Sequence, residues 1–583
     1  MNNINYKQLS NLVNYMQAGK ISLLEFLGDR QQSILPIYQR KYSWTTNECK
    51  QLWDDILRIG EDEEYSEGKN HFLGSIVYTK LNPFTINPIN QRMIIDGQQR
   101  MTTISLLISA IADFLFENPN DIISSEVLIS SYLLNSNTVG ENRYKLILTQ
   151  DDKNTLFKLF DYLENNEKIL FDKDKDSLKI QENFEYFRKK INAGNVEAIL
   201  NGLNRLLIIY ISLEPKIDNP QLIFESLNST GMELTQADLI RNFILMGLKI
   251  EEQEKLYNDY WHDIEKLFEE LIIKEKNKYK FDKFIRDYLT VKTGRVSYFR
   301  NIYRDFKLYS STQDVNELVK DIYTYASYFK CIALGAEEDP KLKKSLDSLR
   351  NLGYDVTDPF LLHLYRDYKE KKLSRDEFCD MLMYTESYLF RRLICSIPTP
   401  SQKKTFEDMY GLLDTTNYLE SYKYALLSKE NYQRMPNDEE FTRNFWEKDI
   451  FNLKNKDYIL FKFENWKHDK EIHKEDGFYT IEHIMPQDTN LCEEWILDLG
   501  ENWREVHKKY LHTIGNLTIT GYNPEYSKKP FLFKRDLKDK GFRYSIFRLN
   551  NYLAELNHWN EDEIKKRANM LIKQAQEIWP YPY

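Results

Sequence analysis

The pattern of apolar and polar residues changes along the chain. Up to about residue 250, short β-prone runs alternate with apolar helical segments. From about 250 to 395, Tyr, Phe and Leu recur at helical spacing, which predicts one helix after another. The turn at 397–403 (IPTPSQK) indicates a boundary. The pattern therefore predicts an α+β, multidomain protein divided into residues 1–250, 251–400 and 401–583.

Two short β-prone runs and a helix follow one another late in the chain. Residues 478–483 alternate in polarity and Pro486 ends that run. Residues 517–520 (LTIT) form a second run, and residues 528–540 have a helical pattern. The turn between this run and the helix carries residues that favour chain reversal: Gly521, Asn523 and Pro524. Strand, strand and helix in this order are the parts of a ββα-metal phosphodiesterase.

The polar residues of this segment suit hydrolysis of a phosphodiester. A water nucleophile needs a base, and an unperturbed imidazole titrates near ~6.5, so His483 is the candidate general base. A divalent metal, Mg²⁺ or Mn²⁺, should face the charge that develops on the phosphate. Glu482 can supply a hard oxygen ligand, and Asn523 is the most plausible further ligand. Asn516 could fix the His483 backbone or ring across the two strands.

A basic segment accompanies these residues. Residues 504–548 contain eleven Lys and Arg against four Asp and Glu, within a chain of formal net charge −10. An acidic protein with one basic segment is expected to meet a polyanion at that place. His507 and His512 flank the same core and are secondary candidates for contact with phosphate or metal. Four residues are candidate contacts to the phosphate backbone of DNA: Lys528, Lys529, Lys534 and Arg535.

The segment RMIIDGQQRMTTISLL predicts an anion cradle in the first half. Residues 92–95 have the pattern of a buried strand, Asp96 and Gly97 form a turn, and an apolar helix follows. The free N–H groups and the dipole of a helix N-terminus favour negative charge. Side-chain donors could come from the next three residues: Gln98, Gln99 and Arg100. No Walker A sequence occurs, which excludes a P-loop.

Two further segments are candidates for the same site. The segment LPIYQRKYSW interleaves Arg40 with aromatic residues, which suits a base-plus-phosphate site, although an ordinary amphipathic strand explains it equally well. Asn228 and Gly231 lie in a turn that could form a ligand loop. Asp238 and Arg241, three residues apart on one helix face, have the spacing of a simple ion pair.

Together the segments LPIYQRKYSW, DGQQR and FESLNSTGMELTQADLIRN, followed by EHIMPQ and GNLT, resemble the GmrSD family of modification-dependent (type IV) restriction enzymes. The resemblance implies a ParB/sulfiredoxin-like NTPase domain at the N-terminus and a helical middle. It also implies a His-Me-finger nuclease, of HNH type, within a largely helical C-terminal domain. On this resemblance the nucleotide, which could be GTP, ATP or another, lies among ten residues: Tyr38, Gln39, Arg40, Asp96, Gly97, Gln98, Gln99, Arg100, Asn228 and Gly231.

In the second half the resemblance implies His483 as general base with Asn516 as its partner. The family often has Asp before this His, and here Glu482 stands in that place. The ligand at the start of the helix could align with Asn523, Ser527 or Lys528. The resemblance also implies modified phage DNA as substrate and a homodimer as working form. Two alternatives stay open: an RNA-targeting toxin nuclease, or a nucleotide-binding regulator with an inactive nuclease half.

Composition sets the remaining bounds. A chain of 583 residues and 70.0 kDa is too long for one core, which predicts two or three domains. No apolar run reaches the ~18 residues of a membrane span and no signal peptide opens the chain, so we expect no membrane partner. The five cysteines form no CxxC pair, which argues against a zinc knuckle and a disulfide framework. We therefore expect a cytoplasmic protein.

Overall fold

The computed structural model divides the chain into two compact units, with the boundary between Lys266 and Leu267. It describes residues 17–62, 70–81, 89–136, 138–165, 171–172, 175–214, 218–228, 235–275, 280–468, 470–473 and 479–583. The α+β, multidomain prediction is confirmed, whereas the predicted boundaries at 250 and 400 stay predictions. No helix among the described residues has the length and apolarity needed to cross a membrane.

A mixed six-stranded sheet organises the first unit. Its strands are β1 (Gln17–Ser22), β2 (Gln31–Ile34), β3 (His71–Leu81), β4 (Asn90–Asp96), β5 (Leu146–Ile147) and β6 (Leu206–Leu213). They lie in the order β1-β6-β3-β4-β2-β5. The β1–β6 and β3–β4 pairs are antiparallel, and the other three pairs are parallel. The predicted strand at 92–95 is therefore confirmed as β4, an interior strand of the sheet.

Helices separate and follow these strands along the chain. They are α1 (Leu23–Gly28), α2 (Thr46–Glu61), α3 (Gln98–Glu117), α4 (Ser125–Leu128), α5 (Gln150–Asn165), α6 (Leu178–Lys190), α7 (Val196–Asn204), α8 (Pro220–Asn228), α9 (Gln236–Met246), α10 (Ile250–Leu256) and α11 (His262–Glu275), the last of which crosses the unit boundary. Helix α3 is apolar on nearly every side and is buried along most of its length, as such a helix must be. It begins immediately after β4, which places the DGQQR turn where a core strand meets a core helix.

The second unit is mostly helical. Its first helices are α12 (Lys280–Thr293), α13 (Ile302–Ser310), α14 (Val315–Leu334), α15 (Pro340–Leu352), α16 (Asp358–Lys369) and α17 (Arg375–Ile394). This series confirms the predicted run of helices up to about 395. Next come α18 (Pro400–Met409), α19 (Tyr418–Leu427), α20 (Asp438–Glu447) and α21 (Lys456–Asn465). Pro400 stands in the first turn of α18, so the predicted turn at 397–403 already contains a helix start.

Two short strands follow. Strand β7 (Thr480–His483) pairs antiparallel with β8 (Leu517–Thr520), and His483 lies opposite Leu517. The helices of this part are α22 (Glu493–Leu499), α23 (Trp503–Tyr510), α24 (Asn523–Tyr526), α25 (Phe531–Asp536), α26 (Asn551–Ala554) and α27 (Glu561–Ile578). The two predicted strands are confirmed. The predicted helix at 528–540 is only α25, because Pro530 fixes its start and the backbone becomes extended at Leu537.

A close crossing of two helices in the first unit depends on glycine. A Cβ added at Gly60 of α2 would lie 1.7 Å from the Ala198 carbonyl oxygen, and one at Gly202 of α7 would lie 2.1 Å from the Ile56 carbonyl oxygen. Both distances are to backbone atoms, which cannot rotate away as a flexible side chain can. The backbones of α2 and α7 therefore cross so closely that only glycine, which has no Cβ, fits at the two crossing positions.

We predict that Gly202→Ala destabilises the first unit by about 1–3 kcal/mol, because overpacking forces α2 and α7 apart. The measurement is the urea midpoint of the unfolding transition of the full chain. Gly247→Ala is the matched control, since a Cβ there meets nothing within 4 Å. Equal midpoints for the two variants would contradict the close crossing.

Candidate functional site

A cleft of about 390 Å³ opens where β7 ends. Four of the predicted site residues line it: Glu482, His483, Asn523 and Lys528. Ile481, Pro486, Gln487, Asp488 and Ser527 complete the lining. Strand β7 therefore delivers both the predicted base and the predicted carboxylate to one cavity, and α24 brings the amide.

Asn516 lies behind the cleft and fixes the chain just beyond His483. Its Oδ1 accepts hydrogen bonds from the Met485 amide (2.8 Å) and from the Trp559 indole (3.2 Å). Its Nδ2 donates to the carbonyls of Met485 (3.1 Å) and Leu511 (2.9 Å). The carboxamide is fully buried, so these bonds have no competition from water. The Asn516 side chain thus bonds to the backbone of Met485, two residues further on, and not, as was expected from the sequence, to the backbone or the ring of His483.

Helix α27 holds the Ile514–Asn516 turn in place. A Cβ at Gly515 would lie 2.7 Å from the Ile564 carbonyl oxygen, so only glycine fits there. The Arg567 guanidinium donates to the carbonyls of Ile514 (3.1 Å) and Gly515 (2.8 Å). Burial lowers the pKa of Arg567 to about 9. Sequence reasoning missed Arg567, since a lone basic residue on a distant helix carries no spacing signal.

Glu482 and Lys534 form a buried ion pair beside the cleft. Lys534 Nζ lies 2.6 Å from Glu482 Oε1 and also donates to the carbonyls of His483 and Ile484, each at 3.0 Å. Burial raises the pKa of Glu482 to about 7, and the Lys534 charge opposes that rise. Burial also lowers the pKa of Lys534, against the effect of Glu482. The ammonium thus joins α25 to the end of β7.

The four predicted phosphate contacts fall into two classes. Lys528 and Lys529 are exposed, and Lys528 pairs with Asp488 at 3.4 Å. Lys534 is fully buried, and Arg535 is nearly so, with its guanidinium bonded to Asp536 and to Asn557 Oδ1. The structure therefore corrects the assignment of Lys534 and Arg535, because side chains engaged in the interior have no charge to offer a phosphate.

Two oxygens at the cleft suit a hard divalent cation. Asn523 Nδ2 donates to Thr480 Oγ1 (3.2 Å) and to the Ile481 carbonyl (3.0 Å). Across the described ranges, no donor contacts Asn523 Oδ1 or Glu482 Oε2. Carboxylate and amide oxygens are ligands that Mg²⁺ and Mn²⁺ take. The described residues offer no group of three His, Cys, Asp or Glu, so an ion here would keep several waters, as Mg²⁺ readily does.

His483 is nearly buried at the floor of the cleft, with 4% of its surface exposed. Burial, together with the neighbouring His512 and Lys534, lowers its pKa to about 3. The imidazole is therefore neutral at pH 7. Its Nε2 lies 3.0 Å from Nδ1 of His512, and its ring packs 4.4 Å from the ring of Phe451. Within the described part of the chain, nothing contacts its Nδ1.

The other secondary candidate, His507, has a structural partner. Its Nε2 donates to the Pro486 carbonyl at 2.8 Å, and the ring is buried. This bond holds the loop that leaves β7, in which Pro486 lines the cleft. His507 therefore supports the cleft wall.

In the first unit the glutamines of DGQQR serve to anchor a neighbouring segment. Gln98 Nε2 donates to Gln39 Oε1, and Gln39 Nε2 donates to the Ile95 carbonyl, both at 2.9 Å. Gln99 Oε1 accepts from the Ser43 amide at 2.9 Å. Tyr38 is buried alongside, with its hydroxyl near Met93 Sδ. These bonds fix the segment 38–43 to β4 and α3. The segment therefore lies beside the DGQQR turn, as predicted.

Charged residues of three sequence motifs converge at this place. Arg100 pairs with Asp96 at 3.3 Å and lies across Gly74, where a Cβ would be 1.8 Å from Arg100 Nη1. Burial lowers the pKa of Arg40, an effect that Asp238 and Asp96 oppose and Arg241 reinforces. Arg241 also pairs with Asp238 at 2.8 Å, which confirms the expected ion pair.

The same place has features that fit an anionic, hydrogen-bonding ligand. Gly97 begins α3 in the left-handed conformation (φ 97°), and no side chain caps that N-terminus. Gln98 Oε1 is buried without a hydrogen-bond partner. No hydrogen bond to the Arg40 guanidinium is present among the residues that the structure describes. Gly231 and the side chain of Asn228 lie outside the described residues, so their predicted part in the site stays a prediction.

Comparison with known proteins covers both units. The chain matches the family model of the GmrSD restriction endonuclease N-terminal domain over residues 23–245, and that of the C-terminal domain over residues 435–574. It is also 23% identical, over 256 residues, to an uncharacterized protein of Methanocaldococcus jannaschii. That match spans 38% of this chain and 40% of the length of that relative.

We predict that Lys534→Met destabilises the second unit by roughly 3–5 kcal/mol, because it leaves the Glu482 carboxylate buried without a partner. The loss relative to wild type should grow as the pH rises above about 7, because removing the Lys534 charge raises the pKa of Glu482 further. The folded variant then holds a proton that the unfolded chain and the folded wild type have already released. The measurement is the thermal unfolding midpoint at several pH values. Lys529→Met is the matched control, since this lysine is exposed on the same segment. A midpoint for Lys534→Met equal to the control's would refute the buried pair.

Proposed function

Because this chain belongs to the GmrSD family of restriction endonucleases, we propose that it hydrolyses DNA with His483 as the general base. The observation that carries the proposal is the position of the neutral His483 at the floor of the cleft. Beside it stand two oxygens, Glu482 Oε2 and Asn523 Oδ1, that no described residue satisfies. A base and a cation site facing one cavity are the two requirements for metal-assisted attack of water on a phosphodiester.

His483 can accept a proton because it is unprotonated at neutral pH. A pKa of about 3 in the free protein makes it a weak base. When a phosphodiester enters the cleft, its negative charge favours the imidazolium and raises the pKa of His483. The base thus becomes stronger when the substrate is present. Its Nδ1, which has no partner among the described residues, is the atom that takes the proton of the attacking water.

Glu482 and Asn523 would hold the metal through Oε2 and Oδ1. A bound Mg²⁺ or Mn²⁺ supplies positive charge to the phosphate oxygens on which negative charge develops. Lys534 favours the ionised form of Glu482, whose pKa burial raises to about 7, and it contacts the carboxylate through Oε1 alone. Glu482 can therefore contact Lys534 through Oε1 and the metal through Oε2 at the same time.

Lys528 and Lys529 provide the contacts to the DNA backbone. Both are exposed, and Lys528 stands in the lining of the cleft itself. Its present partner, Asp488, forms an exposed pair of a kind that contributes about 0–1 kcal/mol. Exchanging that carboxylate for a phosphate therefore costs little. We propose modified phage DNA as the substrate and a homodimer as the working form, since cutting both strands requires two such centres.

The first unit is proposed to bind and hydrolyse a nucleoside triphosphate, GTP, ATP or another, and thereby to regulate cleavage. The uncapped N-terminus of α3 and the guanidinium of Arg40 suit the phosphates. The unsatisfied Gln98 Oε1 suits a donor group of the ligand. The protein is proposed to act in the cytoplasm, where such DNA and nucleotides are found.

We predict that His483→Ala lowers the rate of plasmid nicking by about 10²–10⁴-fold, because it removes the general base. The assay follows conversion of supercoiled plasmid in Mg²⁺ or Mn²⁺, with plain and modified phage DNA and tRNA as parallel substrates. His558→Ala is the matched control, since His558 is exposed and lies outside the cleft.

Two results of this assay would reject the proposal. Nicking by His483→Ala at the wild-type rate would mean that His483 is not the base. Cleavage of tRNA in preference to every DNA would favour the RNA-targeting alternative, which shares the same chemistry.

We predict that Arg100→Ala lowers nucleotide hydrolysis by about 10²-fold or more, because it breaks the pair with Asp96 and removes positive charge from the start of α3. Phosphate release from GTP and ATP is the measurement. Arg58→Ala is the control, since Arg58 forms only an exposed pair with Asp55 on α2. Unchanged hydrolysis in Arg100→Ala would exclude this turn as the nucleotide site.

A further inference from the structure

The His483 ring has a nitrogen partner that lies outside the motif around it. His512, 29 residues later and on no regular element, places its Nδ1 3.0 Å from the Nε2 of His483. At this distance, one nitrogen must carry the proton and the other must accept it. The contact therefore couples the tautomers of the two rings.

Only one of the two arrangements leaves His483 competent as a base at the cleft. If His483 Nε2 donates, its Nδ1 keeps the lone pair. If His512 Nδ1 donates instead, His483 carries its proton on Nδ1, and no lone pair remains there to take the proton of the water. His512 is half-buried, so its own Nε2–H can be solvated in the first arrangement.

We infer that His512 is a positioning residue, which accepts the Nε2 proton of His483 and so keeps the lone pair on Nδ1, facing the water. This inference rests on the proposed function of His483. His512 itself touches neither substrate nor metal. Its role is to set the orientation and the tautomer of the His483 ring, which takes the proton of the water.

The surroundings of His512 hold its ring in place for this task. Its carbonyl accepts from the amides of Ile450 (2.9 Å) and Phe451 (3.4 Å). The Phe451 ring stacks on the His512 ring, with centroids 5.4 Å apart and planes 13° apart, and it also contacts the His483 ring at an angle of 61°. Asn516 Nδ2 donates to the carbonyl of Leu511, the preceding residue. One aromatic ring and one buried amide thus fix both partners of the imidazole pair.

Substitutions of His512 test this role directly. Asn can place its Oδ1 near the position of His Nδ1, and Gln reaches instead to the position of Nε2. We therefore expect His512→Asn to retain kcat for plasmid nicking within about threefold, whereas His512→Gln and His512→Leu lose about 10²-fold. KM for DNA should change by less than about threefold in all three, because Lys528 and Lys529 are untouched. Wild-type kcat in His512→Leu would overturn the inference.

A second measurement reads the tautomer itself in the full-length wild-type protein. The chain has nine histidines, so long-range ¹H–¹⁵N spectra of ¹⁵N-histidine-labelled protein are tractable, with His483 assigned by its absence in His483→Ala. We expect the Nε2–H tautomer for His483 in wild type and in His512→Asn, and a mixture in His512→Gln. The Nδ1–H tautomer in wild type would overturn the inference even if His512→Leu fails to fold.

The role of His483 as base and the role of His512 as positioning residue can be rejected by different results. Full activity of His483→Ala rejects the proposed function of His483. An inactive His483→Ala together with a fully active His512→Leu rejects only the positioning role. A structural role of His512 alone would lower the unfolding midpoint of His512→Asn and His512→Leu together, and would not give the selective recovery of kcat by Asn.

Discussion

One buried carboxamide, that of Asn516, holds the cleft of the second unit together. A strand that delivers a reactive side chain must end beside it, and the chain that leaves the strand then has backbone groups without sheet partners. Asn516 satisfies the amide and the carbonyl of Met485 at once, and Trp559 completes its hydrogen bonding. Because all of these groups are buried, the loss of one bond leaves the others without compensation from water. Glu482 and His483 therefore have fixed positions before any ligand arrives.

The electrostatics of the cleft depend on the same rigidity. Lys534 neutralises Glu482 and, from the same position, discourages protonation of His483. A single interior ammonium thus favours the ionised form of the Glu482 carboxylate, against the effect of burial, and the neutral form of the His483 imidazole. These are the two states that the proposed metal binding and base catalysis need. Its contacts to the His483 and Ile484 carbonyls show that it is also part of the scaffold. Charge and geometry at this site cannot be altered separately.

Much of this arrangement can be predicted from the sequence, and the features that cannot be predicted have physical causes. The alternation in 478–483 and 517–520, and the apolar helix after DGQQR, determine their elements locally, so β4, β7, β8 and α3 follow from pattern alone. Lys534 and Arg535 were expected at the surface because lysine and arginine rarely lie buried, and only the three-dimensional position of Glu482 reveals otherwise. Gln98 and Gln99 are expected from the sequence to donate to a ligand, but Gln98 Nε2 bonds to Gln39 and Gln99 Oε1 accepts from Ser43, so that Gln98 offers only its Oε1. His512 and Arg567 act across distances in sequence that no spacing rule connects.

The clamp of Arg567 on the Ile514–Gly515 turn has a consequence for the order of events during synthesis. Strand β7, strand β8 and the residues that line the cleft all emerge from the ribosome before α27 does. Until that helix arrives, the turn lacks the guanidinium and the wall against which Gly515 packs. A nascent chain still short of residue 561 would carry every predicted catalytic side chain without the brace that aligns them. The cleft can therefore take its final geometry only after α27 has been synthesised.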